Sequence, residues 1–141
     1  MIREANLSDV EELTKLMSEL GYPTDAETMK QRYEAIDRHP DYHTLVFEHN
    51  GTLLGMVGML KAMRFEHDAP YVRIITMVVD SSERGHGIGK KLLNAAEEWA
   101  KSQGCQMINL NSGNRPERQK AHHFYERNGF KGSATGFYKK I

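Results

Sequence analysis

The residues best suited to chemistry lie in one stretch, Val78-Val79-Asp80-Ser81-Ser82-Glu83-Arg84-Gly85-His86-Gly87-Ile88-Gly89-Lys90-Lys91-Leu92-Leu93. Glycines at the alternate positions 85, 87 and 89 join an apolar strand to an amphipathic helix. With no Cβ atoms in the way, the backbone N–H groups at such a helix start stay open to a ligand. The first turn of a helix leaves its donors unpaired, and the helix dipole adds partial positive charge, so the spot suits phosphate. Arg84, Lys90 and Lys91 add formal charge around it. The chemistry this points to is the binding of a diphosphate-bearing ligand. Spacing argues against two common diphosphate loops. The run is not G-x-x-x-x-G-K-[ST], and it is not G-x-G-x-x-G, because Gly89 is followed by Lys90, Lys91 and Leu92.

Arg84, Gly87 and Gly89 do fill the fixed positions of R-x-x-G-x-G, and the loop resembles the coenzyme A pyrophosphate loop of the GNAT superfamily of N-acetyltransferases. A second segment, Ala121-His122-His123-Phe124-Tyr125-Glu126-Arg127-Asn128-Gly129-Phe130, resembles the A-x-x-F-Y-E-x-x-G-F stretch of the same superfamily. Ala121, Phe124, Tyr125, Glu126, Gly129 and Phe130 match it. The two motifs stand in order, with room between them for one helix, one strand and a loop. The resemblance covers essentially the whole chain.

That resemblance implies acetyl-CoA as co-substrate, no metal, and direct attack of a primary amine on the thioester in a ternary complex. Arg84, Gly85, Gly87, Ile88, Gly89 and Lys90 would hold the pyrophosphate, mostly through main-chain N–H groups. The backbone of Met77, Val78 and Val79 would meet the pantetheine arm, with one N–H polarising the thioester carbonyl. Tyr125 falls where these enzymes place a tyrosine whose hydroxyl reaches the CoA sulfur, which makes it the general acid. A phenol suits that task, since its ordinary pKa of about 10 keeps it protonated at neutral pH.

Two positions depart from the family pattern. The strand before the glycine loop often carries an acidic base, and here that place holds Thr76, which cannot take a proton at pH 7. A base would have to come from Glu66, His67 or Asp68 after the hairpin, from His122 or His123, or from a water chain. Arg118 stands where an asparagine often bonds the cofactor, and would contact its phosphate or pantetheine instead. Asn114 is nearby at the wrong spacing.

Composition narrows the remaining classes. A length of 141 residues predicts one domain, residues 1–141, with a single core. Basic and acidic residues balance at 19 each, so no overall field argues for nucleic acid or an anionic membrane as partner. One cysteine, Cys105, excludes an intrachain disulfide and reads as a buried structural thiol rather than a nucleophile. No apolar run approaches the length of a membrane span and no basic-then-apolar leader stands out, so a cytoplasmic location is expected. The seven histidines show no metal-ligand spacing, and His122 and His123 point to different faces of a helix.

These groups need elements to position them. Residues 2–5 read as a short strand. Ser8-x-x-Glu11 and Thr24-x-x-Glu27 read as capping boxes opening two helices, the second ending before Pro40. Residues 42–48 and 52–63 read as a hairpin about an Asn50-Gly51 turn, and 72–79 as a central strand. A helix follows the glycine loop, with Ile88, Leu92, Ala95, Ala96, Trp99 and Ala100 on one face. Residues 107–110 form the next strand, 116–127 the last helix, and two short strands follow around 132–136. The order predicts an α/β (α+β) domain, a GNAT-like mixed, largely antiparallel sheet of about seven strands with helices on both faces. In that fold the strands carrying Met77 to Val79 and Ile108 to Asn111 splay apart.

Gly21-Tyr22-Pro23-Thr24 and the second helix, with Met29, Tyr33 and Ile36, correspond to the part of the fold that shapes the acceptor pocket. Glu27, Glu34 and Asp37 suit a cationic amine. The arrangement of Gly55-Met56-Val57-Gly58 and of Arg118 to Phe130 resembles small-molecule N-acetyltransferases such as aminoalkylphosphonate or aminoglycoside modifiers. Alternatives stay open at this point: a protein or peptide acceptor, a non-catalytic acyl-CoA-sensing module, or a nucleotide-binding domain sharing the fold. A homodimer is equally open.

Overall fold

The computed structural model describes residues 1–112 and 118–141. Its main elements are β1 (Ile2–Glu4), α1 (Val10–Leu20), α2 (Ala26–Asp37), β2 (Tyr42–His49), β3 (Thr52–Arg64), β4 (His67–Val79), α3 (Ile88–Ser102), β5 (Ile108–Leu110) and α4 (Gln119–Arg127). The strands form one sheet in the order β1-β2-β3-β4-β5, antiparallel throughout except for the parallel pair β4–β5. One face packs Val46, Leu53, Met56 and Val78 under α1 and α2. The other packs Leu45, Val57, Met59, Val72 and Ile74 under α3. The architecture is therefore the expected mixed sheet with helices on both faces.

Local chemistry explains the elements. Asn50 at φ 51° and Gly51 at φ 79° make the tight turn between β2 and β3, because two left-handed central residues match the twist of a hairpin. The capping boxes sit elsewhere than expected. Ahead of α1, Asn6 accepts from Ser8 N at 3.0 Å, and Asp9 accepts from Asn6 N at 2.8 Å. Asp9 takes this role because the Arg3 guanidinium grips both its oxygens at 2.8 Å, which also holds its carboxyl below the usual range. At α2 the cap is Asp25, not Thr24, with Thr28 N donating to Asp25 Oδ1 at 2.7 Å.

The sheet corrects two further expectations. β4 begins at His67 rather than near residue 72, so His67 and Asp68 are strand residues beyond a Phe65-Glu66 turn. The two short strands around 132–136 do not form, which leaves five strands among the described residues instead of about seven. Gly132, Ser133, Ala134 and Gly136 are poor strand formers with no apolar alternation to bury. Phe137 and Tyr138 in that segment are 91% and 85% exposed. Of the last helix, the expected start at Pro116 lies outside the described residues, as does Asn114.

A change of phase within β4 is what shapes the site. Met59 pairs with Ile74 but the preceding Gly58 pairs with Thr76, so Ile75 is an extra, bulged residue. Before the bulge Val72 and Ile74 face α3; after it Met77 and Val79 do, while Val78 turns to the α1 side. Parallel pairing with β5 stops at the same point, at Ile74 opposite Leu110. Residues 75–79 thus have no strand on their β5 side among the described residues.

Candidate active site

The glycine loop is fixed from both ends. Asp80 N donates to Leu54 O at 2.8 Å, tying the loop's start to β3. The Asp80 carboxylate then accepts from Ser82 N at 2.9 Å and Ser82 Oγ at 2.7 Å, bonds that hold it ionised below the usual carboxylate range. Glu83 and His86 close the turn at 3.1 Å. At the far end α3 sits low on the sheet because β3 offers it Gly55, where a Cβ would stand 2.9 Å from Leu92 Cδ1. Between these anchors Gly85 and Gly87 take φ of 88° and 80°, with nothing within 4 Å of where a Cβ would be. The first helical bond runs from Lys91 N to Gly87 O, so the amides of Ile88, Gly89 and Lys90 precede any intrahelical acceptor. The result is an open concavity of main-chain donors with Arg84 and Lys90 exposed beside it. Lys91 is directed away, over the Phe47 ring at 5.6 Å.

Next to the loop lies a broad cleft of about 1590 Å³ lined by β4 and β5 on one side and α4 on the other. Thr76, Met77, Arg118, His122 and Tyr125 all line it. Residues 118, 122 and 125 recur at helical spacing, so one face of α4 supplies three of them. Tyr125 is half-buried, packed edge-on to Phe124 and Phe130 with centroids 5.4 and 5.7 Å away. Burial pushes its phenol above the ordinary tyrosine value, and the Arg118 charge pulls it back in part. The loop residues do not line this cleft themselves. They join it through Gly89, whose missing Cβ would lie 3.0 Å from Phe124 Cζ and 3.7 Å from Met77 Cε. Glycine at 89 lets helix α4 dock against the start of α3.

On the other face of the sheet a smaller cavity of about 130 Å³ lies between α1, α2 and strands β2–β4. Met17, Met29, Tyr33 and Ile36 form much of its wall. Tyr33 is 3% exposed, and burial, followed by the charge of Asp37, pushes its phenol up to about 12. Ile75 and Thr76 line both this cavity and the cleft, so the two spaces share a wall at the β4 bulge.

The structure gathers Met77, Arg118 and Tyr125 on one cleft, and sets Arg84, Gly85, Gly87, Ile88, Gly89 and Lys90 around the neighbouring concavity. Val78 and Val79 offer only backbone, Val78 being buried under α1. Among the candidate bases only His122 lines the cleft; Glu66, His67 and Asp68 are on the β3–β4 hairpin and His123 is exposed. Cys105 is buried, and burial raises its thiol above the ordinary value. No group of metal-ligating side chains occurs among the described residues, and none of their helices is long and apolar enough to cross a membrane. Three features escaped the sequence reading: Asp80 as organiser of the loop, the bulge at Ile75, and Arg32 in the wall of the smaller cavity. Asp80-x-x-Glu83 carries a capping pattern, and Arg32 shares the helical stripe of Met29, Tyr33 and Ile36, so two of the three left a signal.

The glycine-rich helix start, the β4 edge left free beyond Ile74 among the described residues and the tyrosine-bearing last helix thus adjoin one another. Residues 9–130 match the model of the acetyltransferase (GNAT) family, and the chain belongs to that family of N-acetyltransferases. It is 32% identical over 128 residues to an uncharacterized N-acetyltransferase, YhdJ, of Bacillus subtilis, covering 89% of this chain and 88% of that protein. It is 29% identical over 141 residues to the aminoalkylphosphonate N-acetyltransferase of Salmonella typhimurium, covering 99% and 90%. A crystal structure of a GNAT family acetyltransferase from Staphylococcus aureus superposes with a TM-score of 0.86 at 38% identity, covering 100% of this chain and 98% of that one.

Proposed function

We propose that this protein, as one catalytic domain, moves an acetyl group from acetyl-CoA to a primary amine of a small molecule, with Tyr125 as the general acid. The carrying observation is the position of Tyr125: a half-buried phenol, raised in pKa, on the cleft opposite the unpaired edge of β4. The residues present fit acetyl-CoA. The loop concavity is empty of side chains where Cβ atoms would stand at 85 and 87, and residues 75–79 leave their backbone free for a linear amide-bearing arm. When bound, acetyl-CoA supplies the acyl donor.

Each step assigns one task to this chain. Main-chain N–H groups of residues 87–90 and the charges of Arg84 and Lys90 hold the diphosphate. A backbone N–H at Met77, Val78 or Val79 donates to the thioester oxygen and stabilises the charge that develops there. The amine nitrogen forms its bond to the acyl carbon as the carbon–sulfur bond breaks, and the Tyr125 hydroxyl gives its proton to the departing sulfur. Thr76 cannot take the proton lost by the amine at neutral pH, so that proton leaves to water through the open cleft. Arg118 at the head of α4 adds positive charge beside Tyr125 and lines the cleft, where it would meet the phosphate or pantetheine of the cofactor.

Thiol release against a panel of amines tests this, paired with calorimetric titration of acetyl-CoA. Tyr125→Phe is expected to lower turnover by about 10²–10⁴-fold, the range for a positioned general acid, while leaving acetyl-CoA affinity intact. Above the ordinary tyrosine range the wild-type rate should fall with pH and that limb should vanish in Tyr125→Phe. Thr76 in place of a carboxylate favours one rival, an acyl-CoA-sensing module; tight binding with no release for any amine would establish it. Release with a peptide amine alone would move the acceptor to proteins.

A further inference from the structure

Residues 75–79 of β4 stay unpaired only while β5 stops where it does, and the pairing that places β5 is short. It joins Val72 to Ile108, Arg73 to Asn109 and Ile74 to Leu110. Val72, Ile74, Ile108 and Leu110 all belong to the core under α3. That apolar face resists a slip of one residue, which would turn Ile108 and Leu110 the other way, but a slip of two preserves the alternation. Arg73 is the residue that distinguishes the two-residue slip. It points to the face opposite Val72 and Ile74, where its Nη1 donates to Asn109 Oδ1 at 3.3 Å. No residue of β5 joins the core under α1 and α2, so on this face that bond is the side-chain tie between β4 and β5 among the described residues. Advancing β5 by two residues along β4 would set Met107 opposite Arg73 and Asn109 opposite Ile75. A carboxamide oxygen would then be exchanged for a thioether, which is a weak acceptor.

We infer, resting on the acetyl-transfer reading above, that Arg73 is a positioning residue: its bond to Asn109 pins the register of β5 and so keeps the β4 edge at 75–79 free for the amide-bearing arm of acetyl-CoA. Arg73 and Asn109 both line the cleft, at the last pairs before that edge begins. A free strand edge is a template for pairing, and the nearest strand able to take it is β5 itself. Once β5 has advanced over the edge, the ligand has to displace it, and the apparent affinity falls by the fraction of molecules still in the open register.

Two measurements on the purified full chain test this: titration calorimetry with acetyl-CoA, and hydrogen exchange over residues 75–79 without ligand. Arg73→Met and Asn109→Leu should each raise the dissociation constant about tenfold, the scale of a hydrogen bond from a charged donor. The double variant should be no weaker than either, since both remove one tie. Asn109→Asp, which gives Arg73 a charged acceptor, should bind as the wild type does. At saturating acetyl-CoA the turnover of the single variants should stay near wild type, with the loss confined to KM. Exchange over 75–79 should be slower in Arg73→Met and Asn109→Leu, because β5 then covers that edge; a bond that merely held β5 in place would leave exchange there unchanged or faster. Unaltered affinity, additive losses in the double variant, or faster exchange each overturn the inference. A wild type that binds no acetyl-CoA sinks the acetyl-transfer reading instead, while the ligand-free exchange still judges the register.

Discussion

Helices α3 and α4 flank the same site and are held in unlike ways. α3 buries Ile88, Leu92, Leu93, Ala96 and Ala100 against the sheet face that carries Leu45, Val57, Met59, Val72 and Ile74. α4 has no fully buried residue; it is docked through the rings of Phe124 and Tyr125, with Phe124 resting in the gap left by Gly89. The proposed diphosphate loop is thus an extension of the hydrophobic core, while the proposed proton donor sits on an outer piece. Binding and chemistry should be separable by mutation, because they depend on helices with different support.

The strongest way to break this contrast is at Gly87. Its left-handed φ of 80° strains any side chain, but nothing lies within 4 Å, so a larger residue has room and the core beneath is untouched. In Gly87→Glu a carboxylate would face the diphosphate, and like charges brought together cost several kcal/mol. The dissociation constant for CoA should rise by about 100-fold or more, roughly 2.7 kcal/mol, in a protein that still folds. Unaltered affinity in titration calorimetry would mean the loop has another purpose.

A paired comparison sharpens it. Leu92 is fully buried at the centre of the α3 core, and Leu92→Ala should cost about 2–5 kcal/mol of stability by chemical denaturation. Phe124→Ala removes a larger side chain that is only half-buried, and should cost less stability. Its turnover should nevertheless fall further than that of Leu92→Ala, since Tyr125 loses the ring that sets it. If both variants lose stability and turnover in the same proportion, α4 is as integral as α3 and the contrast fails.

The α3 side was also the more legible in sequence. Its amphipathic face, the Asn50-Gly51 hairpin and the three glycines are local signals, written within a few residues of where they act. The bulge at Ile75 is not local, because it exists only in the register of β4 against β3. The early part of β4 was hidden by Pro70, which reads as a strand breaker; it is tolerated here where the β3–β4 register slips, between the Ala62–Tyr71 and Arg64–His67 pairs. Around residues 132–136 the family pattern suggested strands that the local composition does not support. Arg32 enters the wall of the smaller cavity only through the packing of α2 on the sheet, which the helical stripe alone does not announce. The tyrosine and the loop were legible because their motifs are compact; of the smaller cavity's wall only Met29, Tyr33 and Ile36 were, because the rest is assembled from another helix and three strands.

The smallest effect expected belongs to the α3 side and concerns pH. His43 on β2 stacks on Trp99 of α3, with ring centroids 4.6 Å apart and planes within 2°. Burial lowers the His43 pKa below the ordinary value, opposed by Glu4 at 3.6 Å. A histidine whose folded pKa is depressed contributes stability that is present above its unfolded value, near 6.5, and is lost as pH falls through the folded one. Stability should therefore decline on acidification below about pH 6.5, by a small amount because Glu4 offsets burial. His43→Phe keeps a ring against Trp99 and removes the titration, so denaturation midpoints measured from pH 7 to pH 5 should show a shallower decline than in the wild type. Equal slopes in the two proteins would place the acid sensitivity in a group other than His43. A shallower decline in His43→Phe sharpens the contrast: α3 is then coupled to acid through the β2 ring stacked on its Trp99, whereas the phenol carried by α4 responds only in the alkaline range.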